Sequence, residues 1–311
     1  MTKPRRSGGT RDGRRRPRFN PWDYLQEAAL AVILLALIVL GGYLLSGRQA
    51  DQGTMEVAAP SYVNTPADKQ IEAALPPARE PPAGPAIAII VDDMGADIAL
   101  AQKFLALDIP IALAILPGLP HSKEVALAAH SRGAVVMLHL PMEPENGEAN
   151  PGPGALTTAQ DDAEIERRFA DALRWAPGAQ GVNNHMGSRF TEDAARMKTV
   201  LELVRRQGLF FVDSRTSADS AGYRVAREMG LPAAQRDVFL DNERDVEAIT
   251  AQIEELFKKA ARRGHAVGIG HPYPETLEAL RLALPRLQER GARVVPVTAL
   301  LVDEGHAAAA R

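Results

Sequence analysis

From residue 86 onward, short apolar runs alternate with longer amphipathic segments. The apolar runs are rich in β-branched residues and predict strands at 86–91, 111–115, 134–138, 181–184, 209–213, 237–240, 266–269 and 293–296. The segments between them repeat apolar residues at helical spacing and predict helices at 98–107, 123–131, 162–175, 194–207, 246–263 and 276–289. Repeated β-then-α units favour a parallel sheet, either doubly wound or closed into a barrel.

Glycines mark the ends of several predicted helices. Gly133, Gly208, Gly264 and Gly291 each stand between a predicted helix and the next predicted strand. Glycine at this position fits a left-handed residue that ends a helix and turns the chain into a strand. These glycines therefore support the predicted boundaries.

Carboxylate and imidazole side chains stand at the ends of most predicted strands. They are Asp92 and Asp93 after the first, His139 after the third, His185 after the fourth, Asp213 at the end of the fifth, Asp241 after the sixth and His271 after the seventh. In a βα barrel all strand C-termini meet at one rim, whereas an open sheet spreads them along an edge. A shared site therefore favours an α/β fold with an irregular (β/α) barrel of about seven to eight strands.

The adjacent pair Asp92 and Asp93 ends a fully apolar strand. Two like charges there are costly unless a cation or a hydrogen-bond network meets them. The alternative is an Asp turn or a helix N-cap that leads into residues 97–100. Neighbouring residues on an extended strand point to opposite sides, so the two carboxylates are expected to play different roles.

The N-terminal segment predicts a membrane anchor. Residues 1–27 are rich in Lys and Arg, and residues 28–45 carry no charge over about the minimum length of a membrane-spanning helix. Trp22, Tyr24 and Tyr43 are placed as interfacial aromatics, and the basic side predicts a cytoplasmic N-terminus. Residues after the apolar stretch match a signal-peptide cleavage site poorly, so an uncleaved signal anchor is favoured over a removed signal or a nucleic-acid-binding tail.

The rest of the chain divides accordingly. Residues 46–85 are rich in Pro and Ala and predict a linker, residues 86–302 form the predicted domain, and residues 303–311 form a flexible tail. We expect a single-pass protein of the inner (cytoplasmic) membrane, with the domain in the periplasm or outside the cell. No nucleic-acid partner is expected.

The chain contains no cysteine, which excludes disulfides, thiolate zinc sites and a cysteine nucleophile. A metal site would therefore use imidazole and carboxylate ligands, a set that suits Zn²⁺ and similar divalent ions. Asp93, His139 and His185 supply such a set from three strand ends, and one of the two adjacent carboxylates would act as a ligand while the other acts as a base beside the metal. His271 follows a Gly-Ile-Gly segment and precedes Pro272, which favours an extended backbone.

These motifs resemble those of the divergent polysaccharide deacetylases, a branch of the NodB-like carbohydrate esterases, over about residues 86–302. The family motif Thr-Phe-Asp-Asp-Gly corresponds to the segment with Asp92 and Asp93, and the resemblance makes the first Asp the base and the second a metal ligand. The motif Asn-His-(Ser/Thr)-x-x-His-Pro corresponds to the segment from His139, but Glu143 occupies the second His position. Either Glu143 or His185 then completes the metal site, and we favour His185 because it directly follows a strand.

The same resemblance makes Asp213 a support for the base and His271 the general acid. It implies a membrane-anchored, metal-dependent hydrolase that removes N- or O-acetyl groups from a cell-envelope or secreted polysaccharide, such as a peptidoglycan-like glycan. The alternatives are a non-catalytic glycan-binding or regulatory barrel, and a metal-dependent phosphoesterase, which would need more basic residues near the rim than Arg189 and Arg215. Arg215 could bind a substrate carboxylate or pair with Asp213, and the internal pair is favoured.

Overall fold

The computed structural model describes residues 84–301. Its strands are β1 (Ala86–Met94), β2 (Ala112–Ile115), β3 (Val135–Met142), β4 (Gly181–Met186), β5 (Phe210–Asp213), β6 (Ala233–Gln235), β7 (Val238–Phe239), β8 (His265–Gly270) and β9 (Arg293–Val294). Its helices are α1 (Ile98–Leu105), α2 (Ser122–Ser131), α3 (Asp162–Leu173), α4 (Ser188–Glu192), α5 (Ala194–Arg206), α6 (Gly222–Glu228), α7 (Val246–Arg263) and α8 (Pro274–Glu289), followed by a 3₁₀ turn at Val297–Leu300.

All strand pairs are parallel, in the order β6-β5-β4-β3-β2-β1-β8-β7, and β9 also pairs with β1. β6 and β7 are consecutive in the chain but lie at opposite ends of this order. The backbone N–H of Arg236 donates to Asp213 at 2.9 Å, on one edge, and that of Asp237 donates to Val267 at 2.8 Å, on the other. The sheet is therefore curled until its edges approach, which confirms the predicted irregular barrel.

Two apolar clusters cover the two faces of the sheet. Alternate residues such as Ile89 and Leu138 pack outward beneath the helices, while Ile90 and Met137 pack inside the curl. Because side chains on a strand alternate in direction, the parity of a position decides which face it reaches. His139 continues the inward series of β3 and therefore reaches the mouth of the barrel.

Most predicted elements occur at the predicted positions, with shifts of a few residues at their ends. The sequence pattern missed β6, α4 and α6, each of which is seven residues or shorter. The helix-ending glycines are confirmed, since Gly133, Gly208, Gly264 and Gly291 have φ values of 72°, 68°, 87° and 87°.

Within residues 84–301, no helix is both long and apolar enough to span a bilayer. The predicted anchor at 28–45 lies outside the described residues, as do the basic tail, nearly all of the linker and the C-terminal tail. The membrane topology therefore stays a prediction.

Candidate active site

A bulge at the end of β1 brings both acidic residues to the mouth of the barrel. The register of β1 against β2 shifts between Val91 and Met94, and Asp93 has a φ of 54°. This left-handed residue breaks the alternation of the strand. The expectation that the two carboxylates point to opposite sides is therefore wrong, since both lie within 3.6 Å of one histidine nitrogen, His139 Nε2.

Asp93, His139 and His185 form a compact cluster of potential metal ligands. Asp93 Oδ1 lies 3.2 Å from His139 Nε2 and 2.9 Å from His185 Nδ1, and the two ring nitrogens are 3.1 Å apart. The three ligand atoms lie within 4.8 Å of one another. Asp93 Oδ1 is buried yet makes no hydrogen bond within the described part of the chain. A buried carboxylate oxygen that faces two imidazole nitrogens but makes no hydrogen bond fits a divalent cation.

The charges in this cluster are strongly coupled. Burial acts to raise the pKa of Asp93, but His139 and His185 outweigh it and hold the pKa far below its usual range. Burial likewise acts to lower the pKa of His139, but Asp92 and Asp93 raise it to about 9. The two carboxylates thus stabilise a positive charge in front of His139 Nε2. A bound cation would balance them in place of the ring proton.

Asn183 holds two of the site residues in place. Its Oδ1 lies 2.9 Å from His139 Nδ1, and its Nδ2 donates to Asp92 Oδ1 at 2.8 Å and to Ser214 Oγ at 3.1 Å. An amide oxygen only accepts, so Nδ1 of the ring must donate, and in the neutral ring the lone pair is then on Nε2, where a metal would take the place of the proton. Asn183 is not among the site residues that the sequence predicts. Strand parity could have found it, because it shares the inward face of β4 with His185.

Asp92 is the buried carboxylate of the site. Burial raises its pKa above the usual value, against the opposing effects of His139, His271 and the hydrogen bond from Asn183. A carboxylate with a raised pKa is a better proton acceptor near neutral pH. Its position beside the ligand cluster suits the role of general base.

His271 is held from behind by a carboxylate. Asp241 Oδ1 lies 2.9 Å from His271 Nδ1, and Asp241 Oδ2 accepts from the His271 backbone N–H at 2.5 Å and from Thr276 Oγ1 at 2.7 Å. Burial works against the charged ring, but Asp241 outweighs it and the pKa of His271 is raised. His271 Nε2 lies 3.9 Å from Asp93 Oδ2, so the protonated ring faces the ligand cluster.

Asp213 serves its own turn rather than Asp92. Its carboxylate accepts from the backbone N–H of Arg215 at 2.8 Å, from Ser220 Oγ at 2.8 Å and from the N–H of Tyr223 at 2.9 Å. It shares its strand face with the outward residue Phe211, which explains why it points toward the helices. Among residues 84–301, no hydrogen bond joins Asp213 to Asp92, so the predicted support of the base by Asp213 is not seen.

Arg215 also departs from the prediction. Its bond to Asp213 goes through the backbone N–H, while its guanidinium donates to the carbonyl of Ala218 at 3.0 Å and lies 3.5 Å from Gln235 Oε1. The expected side-chain ion pair with Asp213 is therefore wrong.

Glu143 lies outside the ligand cluster. Its Oε2 accepts from the backbone N–H of Thr158 at 2.7 Å and from the Thr158 hydroxyl at 2.9 Å, and its Oε1 lies 3.6 Å from Arg189 Nε. The carboxylate thus fastens the loop after β3. Of the two residues considered for the third ligand, the structure places His185 beside Asp93 and His139.

The sequence profile of the divergent polysaccharide deacetylases matches residues 89–301, and the chain belongs to this family. It is 35% identical to the uncharacterized protein YibQ of Escherichia coli over 195 residues, which are 63% of this chain and 61% of that protein's length. It is 31% identical to an uncharacterized protein of Haemophilus influenzae over 203 residues, 65% of this chain and 72% of that protein.

The fold is also found in a crystal structure. The uncharacterized protein Atu2773 of Agrobacterium tumefaciens superposes with a TM-score of 0.66 at 26% identity, over 71% of this chain and 91% of that one. The family and the fold are therefore consistent with each other and with the curled barrel.

Proposed function

We propose that this protein is a metal-dependent deacetylase that removes acetyl groups from a glycan outside the cytoplasm. Membership of the divergent polysaccharide deacetylase family supports this class of reaction. One observation supports catalysis most directly: the buried Asp93 Oδ1, which makes no hydrogen bond, faces two imidazoles beside a buried carboxylate, Asp92. Anchoring by residues 28–45 in the inner membrane would keep the domain near cell-envelope glycans.

Asp93, His139 and His185 would hold the divalent cation, and Zn²⁺ suits this donor set. When bound, the cation would supply Lewis acidity for the acetyl carbonyl. Asp92 would accept a proton from the attacking water as the new C–O bond forms. His271, kept protonated by Asp241, would donate a proton to the amine or alcohol as its bond to the acetyl carbon breaks.

Metal analysis of the purified full-length protein tests the site. We expect one equivalent of divalent metal per chain under zinc-replete conditions, lost in His139→Ala and in His185→Ala. His265→Ala is the matched control, since His265 is an exposed histidine at the start of β8. A metal-free wild-type protein would remove the proposed chemistry.

Acetate release from N-acetylglucosamine oligomers tests catalysis. Asp92→Asn should abolish release while the metal content stays unchanged, because Asp92 is the proposed base. Full activity in Asp92→Asn would reject that role. Metal binding and oligomer binding without any acetate release would instead identify a non-catalytic glycan-binding protein.

The absence of native cysteine makes the membrane topology directly testable. In intact cells, a membrane-impermeant maleimide should label Ser61→Cys in the linker but spare Ser7→Cys in the basic tail. Labelling of both residues only after lysis would contradict the proposed location.

A further inference from the structure

Two arginines lie together on the side of the barrel formed by β5 and β6. Arg236 Nε donates to the carbonyl of Ser214 at 2.6 Å, and its Nη2 donates to the carbonyl of Arg215 at 2.7 Å. The Arg215 guanidinium is held by the Ala218 carbonyl and by Gln235. Both side chains are half-buried. Every partner is a neutral oxygen, so the two cations are positioned but not neutralised.

The neighbouring carboxylates are occupied elsewhere. Asp213 bonds its own turn, and Asp237 Oδ1 pairs with Arg263 Nη1 at 3.0 Å while its Oδ2 accepts from the N–H of Val267 at 2.9 Å. Among the described residues, neither Arg215 nor Arg236 has a carboxylate oxygen within ion-pair distance. Burial, followed by the charge of Arg215, lowers the pKa of Arg236 against the opposing charges of Asp213, Asp92 and Asp237. Two like charges partly withdrawn from water favour binding of an external anion.

This arginine pair is connected to the catalytic groups on two routes. The Arg236 guanidinium lies 5.0 Å from the Phe239 ring, which in turn lies 5.1 Å from the His271 ring. On the other route, Ser214 accepts from Asn183, whose amide also bonds Asp92. The pair therefore flanks the side of the site on which His271 would protonate the leaving group.

We propose that Arg215 and Arg236 bind a carboxylate of the substrate, so that the preferred substrate is an acidic N-acetylated glycan. The inference rests on the proposed function and adds the substrate class to it. A planar guanidinium matches the geometry of a carboxylate and remains charged at every physiological pH. The carboxylate belongs to the leaving-group part of the glycan, on the acetylated sugar or next to it.

Binding to the metal-loaded full-length protein with Asp92→Asn separates recognition from turnover. The probes are three short N-acetylated oligosaccharides: a neutral N-acetylglucosamine oligomer, one alternating with glucuronic acid, and one alternating with N-acetylmuramic acid. Calorimetry should show that at least one acidic probe binds about tenfold more tightly, or better, than the neutral oligomer. The two acidic probes distinguish a uronic carboxylate from a lactyl ether carboxylate.

The same titration in an Arg215→Gln background should remove the preference, and Arg215→Lys should retain part of it. Arg206→Gln, which removes an exposed arginine paired with Glu166, is the control with the same change of charge. Equal binding of neutral and acidic probes, or an unchanged preference in a folded Arg215→Gln variant, would overturn the proposal.

Acetate release separates this proposal from the proposed function. Deacetylation of neutral and acidic probes at equal efficiency would keep the deacetylase and reject the acidic substrate. Arginine-dependent binding of an acidic probe without release by the wild type would keep the recognition and reject the deacetylase.

Discussion

His139, which is buried, and His271, which is half-buried, belong to one site, and they differ in the group that faces ring nitrogen Nδ1. The Nδ1 of His139 meets the neutral amide of Asn183, whereas the Nδ1 of His271 meets the carboxylate of Asp241. The anions that act on His139 lie in front, at Nε2, where Asp92 and Asp93 face it. Asp93 also lies 3.9 Å from His271 Nε2, so the group at Nδ1, an amide for His139 and a carboxylate for His271, is what distinguishes the proposed metal ligand from the proposed proton donor.

The physical reason is that a carboxylate behind an imidazole stabilises the protonated ring, while a neutral acceptor only fixes its tautomer. Anions in front of the ring favour a positive charge at that point, which a metal can provide in place of a proton. The same residue type is therefore suited to the two proposed roles on one rim. Three substitutions test this comparison.

Asp241→Asn should have the largest effect on turnover. As the proposed general acid, His271 would act in its protonated form, so activity is expected below its pKa and should be lost as the pH rises through it. Asp241 raises that pKa, so its removal should move the alkaline limb of the pH–rate profile to lower pH and reduce kcat about 100-fold near neutral pH. Acetate release across a pH series measures both effects.

The metal content of Asp241→Asn should equal that of the wild type, because Asp241 contacts no residue of the ligand cluster. Loss of metal together with activity would show that His271 and Asp241 belong to the metal site, and the comparison would fail.

Asn183→Ala should weaken metal binding by about 10- to 100-fold, because the amide fixes the ligating tautomer of His139. Competition with a chelator of known affinity measures the change. Asn184→Ala is the matched control, since this neighbouring buried amide donates to the Met186 carbonyl and accepts from the Ser214 N–H. Equal losses of metal affinity in both variants would show a general disturbance of β4 rather than a specific role for Asn183.

Glu143→Gln should have the smallest effect. The amide oxygen can still accept from Thr158, and the lost ion pair with exposed Arg189 contributes about 1 kcal/mol or less to the free energy of unfolding. Metal content should stay unchanged, and the melting temperature should shift little. If the Glu143→Gln protein held no metal, that result would identify Glu143 as the third ligand.

The alternation of apolar runs and amphipathic segments predicted most of the fold, because long periodic elements carry a strong signal. The ends of parallel strands share one rim, so the sequence also predicted that Asp93, His139 and His185 meet. β6 and α6 were missed because they are three and seven residues long, too short for a period to be recognised.

The features of the site that the sequence did not predict depend on local backbone geometry and on neighbours distant in the sequence. The left-handed conformation of Asp93 is not visible in a hydrophobic pattern, so the direction of its carboxylate was predicted wrongly. Asn183 gains its role only when β3 and β4 pair and bring it beside His139. Asp213 could have been placed by the parity of β5, which assigns it to the outer face.

The incomplete closure of the barrel has a consequence for solubility. The strands at the two ends of the sheet, β6 and β7, are only three and two residues long. A strand that short exposes few unpaired N–H and C=O groups, so it offers a poor template for another chain to extend the sheet. The gap between β6 and β7, which the chain crosses at Arg236 and Asp237, thus leaves the barrel open without creating a sheet edge prone to aggregation.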